Sequence, residues 1–389
     1  MSLLYDFLHT YTGAKMSGFG LRALKKVIDE ESTLKKSSFV KYIVYGENTF
    51  GILTFLRLHK KYPGEVKLIT RNPFFKEDLL NEWSCTLSSI RSEEVANAFM
   101  TLNPRFEVFK TSEEVLFYKD TKFHKFGGRA KPHELKEGEL FFTESPYHVQ
   151  LQAMFEESEF EDLDEILKDH QLHKIISDIE ISEPTDLVEK INFKIQTGEF
   201  ESFGCEKLFF CESPKKFLNF VSNKKELNDD VYSFAAGISN DQAISVHFKC
   251  DREISKDPGT IILPQSMTHE WGSFILDFEC FDESTNTQEF KALTFIGDDD
   301  LQEEDLAKKI KLMKRVIERV LPELGKAQVD QSIRFNDEYR ISGINDTQFT
   351  NLQNQNVRFL GHGTAINHEL SEKFQYFSRG IYAILNESL

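Results

Sequence analysis

One short segment near the N-terminus limits the possible fold more than any other part of the chain. An apolar stretch at residues 39–45 runs into a glycine turn, an amphipathic stretch follows at 52–62, and a second apolar run occupies 65–70. This order predicts a strand, a helix and a parallel strand, the βαβ unit in which many proteins bind dinucleotides. The helix N-terminus of such a unit offers free N–H groups to a pyrophosphate.

The turn departs from the usual glycine pattern at its centre. It reads Gly46-x-Asn48-Thr49-x-Gly51, so an asparagine stands where the pattern has the glycine that lets the backbone approach a phosphate. Asparagine tolerates positive φ better than most residues, which keeps the tight turn possible. The residues of this turn are therefore the first candidates for contact with a cofactor.

The composition is that of a globular protein with an acidic surface. The 389 residues exceed the usual size of one domain, so we expect two. A net charge of −17 excludes non-specific nucleic-acid binding, because contacts to phosphates need clustered Lys and Arg side chains. No stretch approaches the roughly 18 uninterrupted apolar residues of a membrane span, and residues 1–38 lack a secretory signal pattern.

The cysteines and the absence of metal motifs favour a reduced, cytoplasmic protein without a metal. The five cysteines are scattered, odd in number and include no CxxC, which is typical of buried free thiols. No HExxH, GxSxG or Walker sequence occurs. We therefore expect neither a metal site nor a hydrolase or ATPase.

The rest of the chain divides into a meander and flanking helices. Residues 231–296 contain apolar runs separated by turn-rich pieces, which predicts antiparallel strands. Residues 301–321 are predicted to form a long helix that ends before Pro322. Residues 357–385 read as a strand, a turn and a closing helix.

Turns or short segments marked by glycine or proline follow one another in a recognisable order. They are the first turn at Gly46 to Gly51, the segment Gly127-Gly128-Arg129, the strand-then-proline stretch 205–218, and Gly361-His362-Gly363 before the last helix. This order resembles that of the FAD-dependent amine oxidoreductase family, which shares a glutathione-reductase-type FAD domain. The resemblance covers most of the chain after residue 39 and implies that these glycines, with Arg129 and His362, contact FAD.

The resemblance implies an α/β protein with two domains after an N-terminal helical extension over residues 1–36. One is a Rossmann-type FAD/NAD(P)-binding domain assembled from discontinuous segments; the other is an antiparallel-sheet substrate domain with covering helices. The expected boundaries are 37–145, 183–225 and 330–389 for the first, and 146–182 and 226–329 for the second. The implied function is that of an amine oxidase-like enzyme that transfers hydride from a small-molecule substrate to FAD. The substrate, the catalytic side chains and the oligomeric state stay open.

Departures from the family pattern leave two other functions open. Where the family has an acid that binds a ribose, this chain has Thr70 and Arg71. Arginine accepts no hydrogen bond, but Arg71 could hold a phosphate, either the pyrophosphate of FAD or the 2′-phosphate of NADP. His362 stands where the family has an aspartate, and it could donate to a phosphate or a flavin oxygen. The alternatives are a cofactor-free binding or scaffold protein with a decayed dinucleotide site and an NADP-dependent reductase.

Overall fold

The computed structural model of the chain describes residues 37–112, 114–127, 135–182, 187–194, 200–222, 224–257, 259–268, 272–297, 303–344, 356–362, 364, 366 and 368–386. The helical extension predicted over residues 1–36 lies outside the described residues. Three of the predicted cofactor contacts, Gly128, Arg129 and Gly363, lie outside them as well.

Strands and helices are interleaved along the chain. The strands are β1 (Ser37–Tyr45), β2 (Val66–Thr70), β3 (Val108–Lys110), β4 (Leu116–Lys119), β5 (Lys122–Lys125), β6 (Tyr147–Val149), β7 (Gln171–His173), β8 (Ile175–Ser182), β9 (Leu187–Lys194), β10 (Phe200–Phe210), β11 (Ser239–Cys250), β12 (Gly259–Leu263), β13 (Phe274–Phe278), β14 (Gln288–Ile296), β15 (Val329–Ser342) and β16 (Val357–Phe359). The helices are α1 (Thr49–Lys61), α2 (Lys76–Ser84), α3 (Glu93–Leu102), α4 (Glu137–Leu140), α5 (Glu157–Glu161), α6 (Leu163–His170), α7 (Pro214–Phe220), α8 (Asp229–Gly237), α9 (Gln265–Thr268), α10 (Glu303–Val320) and α11 (Tyr376–Asn386).

The first sheet contains the βαβ unit predicted from the sequence. Its strands follow the order β7-β2-β1-β10-β9-β8, and β16 also pairs with β10. Strand β1 runs parallel to both β2 and β10, with Tyr42 opposite Val66 on one side and Lys207 on the other. Because β7 and β16 are also parallel to their neighbours, β7, β2, β1, β10 and β16 all end at one edge of the sheet.

Helix α1 covers one face of this sheet. Its residues Ile52 and Phe55 are buried in one core cluster with Val44 of β1 and Leu68 of β2. Burial of each such side chain contributes roughly 1.5–3 kcal/mol. The apolar spacing that predicted the helix therefore also fixes which side of it faces the sheet.

The second sheet is the predicted meander with additions at both edges. Its order is β15-β11-β14-β13-β12-β4-β5. Strands β11, β14, β13 and β12 pair antiparallel, and β15 pairs antiparallel with β11 along most of its length. Helix α10 packs on one face through Met313 and Ile317, which share a core cluster with Phe274 and Phe290.

Sheet membership differs from the expected domain boundaries at three places. Strand β15 and the β4–β5 hairpin belong to the second sheet, although the boundaries assign them to the first domain. Strands β7 and β8 belong to the first sheet, although the boundaries assign residues 146–182 to the second domain. The reason is long-range pairing: Leu116 of β4 lies opposite Ile261 of β12, and no local pattern reveals a partner so distant.

A buried ion pair joins the segment before α3 to the second sheet. The Arg91 guanidinium, just before α3, donates to both carboxylate oxygens of Asp277 on β13 at 3.0 and 2.8 Å. It also donates to the Thr260 hydroxyl at 2.7 Å, and Thr260 in turn donates to Asp277 at 2.6 Å. The Arg91 side chain is only 1% exposed, so this network belongs to the core of the protein.

Candidate functional site at the first turn

The predicted first turn lies where the parallel strands of the first sheet end. Gly46 follows β1, Arg71 follows β2, Cys211 follows β10 and Gly361 lies two residues after β16. In open α/β sheets, ligands bind in the crevice outside the carboxyl ends of the strands, at the point where the strand order reverses. Here that point lies between β1 and β10, beside the turn.

Four chain segments meet tightly at this point. A Cβ on Gly46 would lie 3.0 Å from the Cβ of Cys211, and one on Gly361 would lie 3.3 Å from the Cys211 carbonyl oxygen. A Cβ on Gly380 of α11 would lie 2.5 Å from the Phe50 ring and 2.7 Å from the backbone of Gly361. The structure thus brings Gly46, Phe50 and Gly361 together, and these glycines permit backbone contact that a side chain would block.

Asn48 acts as the N-cap of helix α1. Its Oδ1 accepts the Gly51 N–H at 2.9 Å, and its Nδ2 donates to the Cys211 carbonyl oxygen at 3.0 Å. Asparagine is among the best N-cap residues because its side chain satisfies a donor that the helix leaves free. The residue that replaces the central glycine therefore holds the turn to β10 through its own side chain.

A carboxylate from α2 occupies the helix N-terminus. Glu82 accepts the Thr49 N–H through Oε2 at 3.0 Å, and its Oε1 lies 3.7 Å from the Arg334 guanidinium of β15. Trp83 donates from its indole nitrogen to the Thr49 hydroxyl at 3.0 Å. Glu82 is buried. The position to which an anion would be attracted by the helix dipole therefore holds an anion supplied by the chain.

His362 packs against aromatic rings at the edge of a small cavity. Its ring centroid lies 4.7 Å from that of Phe50, at nearly a right angle, and 6.3 Å from that of Phe377. Its Nδ1 is buried and has no hydrogen-bond partner among the described residues. Burial lowers the pKa of His362 to about 4, so the ring is neutral near pH 7 and offers no positive charge to a phosphate.

Aromatic side chains fill the space between the second sheet and the start of helix α11. Tyr376 has a left-handed backbone, with φ of 54°, at the first position of the helix. Its ring lies 4.7 Å from Phe141, 5.4 Å from Phe142 and 5.3 Å from Tyr339, centroid to centroid. Its hydroxyl donates to the Gly138 carbonyl oxygen. The family resemblance places the isoalloxazine under this sheet, and here the rings pack directly on one another.

Arg71 is exposed at the end of β2, and two acids already act on its charge. Its guanidinium interacts with the buried Tyr45 hydroxyl and with the carboxylates of Glu212 and Glu47. Glu47 in addition accepts the Asn72 N–H at 2.9 Å. A 2′-phosphate at Arg71 would lie next to those two acids, so the geometry gives NADP binding at Arg71 no support.

Gly127 lies apart from the first turn. It follows β5, the strand at the far edge of the second sheet, and has a left-handed backbone with φ of 89°. No atom lies within 4 Å of the position that a Cβ would take. The described part of the chain therefore explains Gly127 as a turn residue and shows no close approach to Gly46.

A second group of charged side chains lies beside the turn, between the two sheets. Lys216 of α7 lies 3.3 Å from Glu212, 3.3 Å from Glu338 of β15 and 3.2 Å from Asp337. Glu338 also accepts the Ser213 N–H at 3.0 Å. Burial, with the nearby carboxylates of Glu212 and Asp337, raises the pKa of Glu338 to about 7 despite the opposing effect of Lys216.

Glu338→Gln is expected to change how stability depends on pH. The native Glu338 keeps a proton that the unfolded chain loses between about pH 4.5 and 7, so wild-type stability falls as the pH rises through that window. The variant cannot show this fall. Between pH 5 and pH 8, its free energy of unfolding should therefore rise relative to that of wild type by an amount on the order of 2 kcal/mol. Urea unfolding at several pH values measures the difference. Parallel pH profiles for the two proteins would contradict the assignment, and exposed Glu304→Gln is the control expected to follow wild type.

Two cavities lie near the site, and neither opens onto the start of helix α1. One, of about 710 Å³, opens between Tyr147 and Arg340. One of about 210 Å³ lies beside His362. Gly46 and Thr49 line neither of them.

Sequence reasoning missed the residues that determine the state of the site. Glu82 and Trp83 lie 33 and 34 positions from Thr49, and Arg334 comes from the second sheet. No local signal in the sequence shows that an acid of α2 turns inward. The sequence does not predict the left-handed backbone of Tyr376 either. A positive φ is uncommon for a residue other than glycine.

The fold is that of the FAD-dependent amine oxidoreductases. A redesigned variant of putrescine oxidase superimposes with a TM-score of 0.54 at 10% identity, covering 90% of this chain and 97% of the other. Cyclohexylamine oxidase from Brevibacterium oxydans gives 0.55 at 9% identity, covering 89% and 99%. An oxidoreductase from Methanosarcina mazei gives 0.52 at 11%, covering 89% and 99%.

These comparisons concern the fold, and the architecture is one that flavin-dependent oxidoreductases use. The sequence matches no family model and no curated protein. Among the described residues, no helix has the length and apolar character needed to cross a membrane. The predicted α/β class and the predicted resemblance in fold are confirmed.

The described residues do not fit FAD at two points. A pyrophosphate at the N-terminus of α1 would have to displace the buried carboxylate of Glu82. The family resemblance implies an isoalloxazine under the second sheet, where the ring of Tyr376 packs against Phe141 and Tyr339. Side chains of this chain therefore occupy the helix N-terminus and pack around Tyr376 under the sheet.

Proposed function

We propose that this chain is a cofactor-free binding or scaffold protein that keeps a flavoenzyme fold. The observation that carries the proposal is the hydrogen bond from the Thr49 N–H to the Glu82 carboxylate. A negative charge at this point is favoured by the helix dipole, as a phosphate would be. Glu82 thus replaces a ligand's charge with one that belongs to the protein.

Electrostatic repulsion would oppose a phosphate at the same place. A phosphate oxygen about 4 Å from Glu82 would be repelled by roughly 4 kcal/mol at an effective dielectric constant of about 20. Moving Glu82 aside instead would take a buried carboxylate away from Thr49 and Arg334. Either route reduces the affinity that the helix N-terminus would otherwise give.

A second candidate is a flavin-dependent oxidoreductase that takes hydride from a small-molecule substrate. The close contacts among Gly46, Cys211 and Gly361 favour it, because a dinucleotide cradle needs backbone segments that approach one another. This function requires α2 and the ring of Tyr376 to move outward when FAD binds. No described side chain is assigned a catalytic role.

A thermal-shift and equilibrium titration with FAD, ADP and NADPH tests the proposal. A ligand that binds only the native state raises the melting temperature, so we expect none of the three to change it. Flavin fluorescence should likewise show no saturable binding of FAD. Saturable uptake of FAD with a rise in melting temperature would overturn the proposal in favour of the oxidoreductase, and a rise with NADPH alone would favour the reductase.

A further inference from the structure

A groove runs between helix α10 and the edge of the second sheet. Its volume is about 470 Å³, and its floor and walls include Ala307, Ile310 and Ile333. Three basic side chains line it as well, namely Lys311, Lys314 and Arg315. We refer to this feature as the α10–β15 groove.

One wall of the groove is an edge strand. Strand β15 spans 14 residues and pairs with β11 on one side, and no other described strand pairs with it. Ile333 and Phe335, which lie on the same face of the strand, are 49% and 45% exposed. Edge strands present unpaired N–H and C=O groups, and proteins usually protect such edges when they are long and apolar. This edge is long and carries apolar side chains in the open.

The charge of the groove is opposite to that of the chain. Lys311, Lys314 and Arg315 form no ion pair with any described residue, although the whole chain carries a net charge of −17. Lys308 on the same helix, by contrast, lies 3.0 Å from Asp305. Glu318 is the acid that faces the three cations in the groove. The groove therefore attracts negative charge in a protein that otherwise repels it.

A short segment of a polypeptide chain matches these features of the groove. The stretch of α10 from Ala307 to Glu318 is roughly 16 Å long, which equals about five residues of extended strand. A backbone can pair with the edge of β15, its apolar side chains can cover Ile310 and Ile333, and carboxylates can reach the three cations. Nucleic acid and anionic membranes match less well, because the remaining surface is acidic.

We propose that a short acidic and apolar segment of a partner protein binds the α10–β15 groove as an added strand on β15. Main-chain hydrogen bonds to the edge provide affinity in this mode, and the side-chain contacts provide specificity. This groove proposal names the class of partner for the binding function proposed above. It rests on α10 and β15 alone, so FAD uptake would overturn the proposed function and leave the groove proposal standing.

The probe is a fluorescein-labelled heptapeptide of sequence Glu-Ile-Val-Glu-Ile-Val-Glu, which places acidic and apolar side chains on both faces of a strand. Fluorescence anisotropy with the full chain should show saturable binding. The same peptide with lysine for glutamate should bind at least about tenfold more weakly, because the charges then repel. A peptide with N-methylated backbone amides should also lose affinity, because it cannot donate to the strand edge.

Variants of the protein complete the test. Lys311→Glu with Lys314→Glu should weaken binding of the acidic peptide about tenfold. Lys122→Glu with Lys125→Glu makes the same change of charge on β5, at the opposite edge of the sheet, and should leave binding unchanged. Equal binding of acidic and basic peptides, or no loss in the groove variant, would overturn the proposal. So would a concentration-dependent dimer that Ile333→Lys abolishes in sedimentation velocity, because the groove would then serve a second copy of the chain.

Discussion

Glu82→Leu is expected to lower the free energy of unfolding by about 2–4 kcal/mol. The change leaves the buried Thr49 N–H without its acceptor and takes the carboxylate away from Arg334. It also removes a negative charge from the N-terminus of α1, where the helix dipole favours one. Chemical denaturation near pH 7 measures the loss.

Two further variants distinguish the loss of the Glu82 cap from a general effect of substitutions in α2. Glu82→Gln keeps an oxygen that can accept from Thr49, so it should lose less stability than Glu82→Leu. Glu77→Leu lies on the same helix at an exposed position and should change stability by less than about 0.5 kcal/mol. Equal losses for Glu82→Leu and Glu77→Leu would show that the Glu82 carboxylate does not cap α1.

Arg91→Met is expected to have a still larger effect, a loss of about 3–5 kcal/mol. Methionine retains much of the apolar bulk, but it leaves Asp277 buried without its cation. The Thr260 hydroxyl and the Ser88 N–H still donate to Asp277, so the carboxylate keeps part of its hydrogen bonding. Urea unfolding should show a lower midpoint with little change in slope.

The pH dependence and a double variant test the cause of this loss. The loss in Arg91→Met should shrink as the pH falls, because a buried aspartate without its cation takes up a proton. Arg91→Met combined with Asp277→Asn should be less unstable than Arg91→Met alone, because no unpaired charge remains. A loss that is independent of pH and additive in the double variant would contradict the role of the ion pair.

Local sequence patterns were sufficient to predict the helices and strands, but they were insufficient to predict which side chains occupy the candidate site. Strand β1, helix α1 and strand β2 follow from apolar spacing and a glycine turn, and the structure has them at the predicted residues. The long helix predicted over 301–321 is observed as α10. In these elements each residue's neighbours in sequence decide its conformation, so a single sequence contains the necessary information.

Asn48 shows what the sequence could not reveal. Its position in the glycine pattern suggested crowding at a phosphate, whereas the structure shows an N-cap that also bonds to Cys211, 163 residues away. Arg91 and Asp277 are separated by 186 positions, and their pairing depends on how the two sheets meet. Such contacts are set by tertiary packing, which leaves no period in the sequence.

The flavin content of the purified protein tests whether side chains block the cofactor site or leave it open to FAD. The protein is expressed in cells supplied with riboflavin, purified without added flavin, and unfolded to release any bound cofactor for quantification. We expect a colourless protein with far less than one flavin per chain, because Glu82 and Tyr376 fill the positions that FAD would need. A yellow protein that releases about one FAD per chain would contradict this expectation.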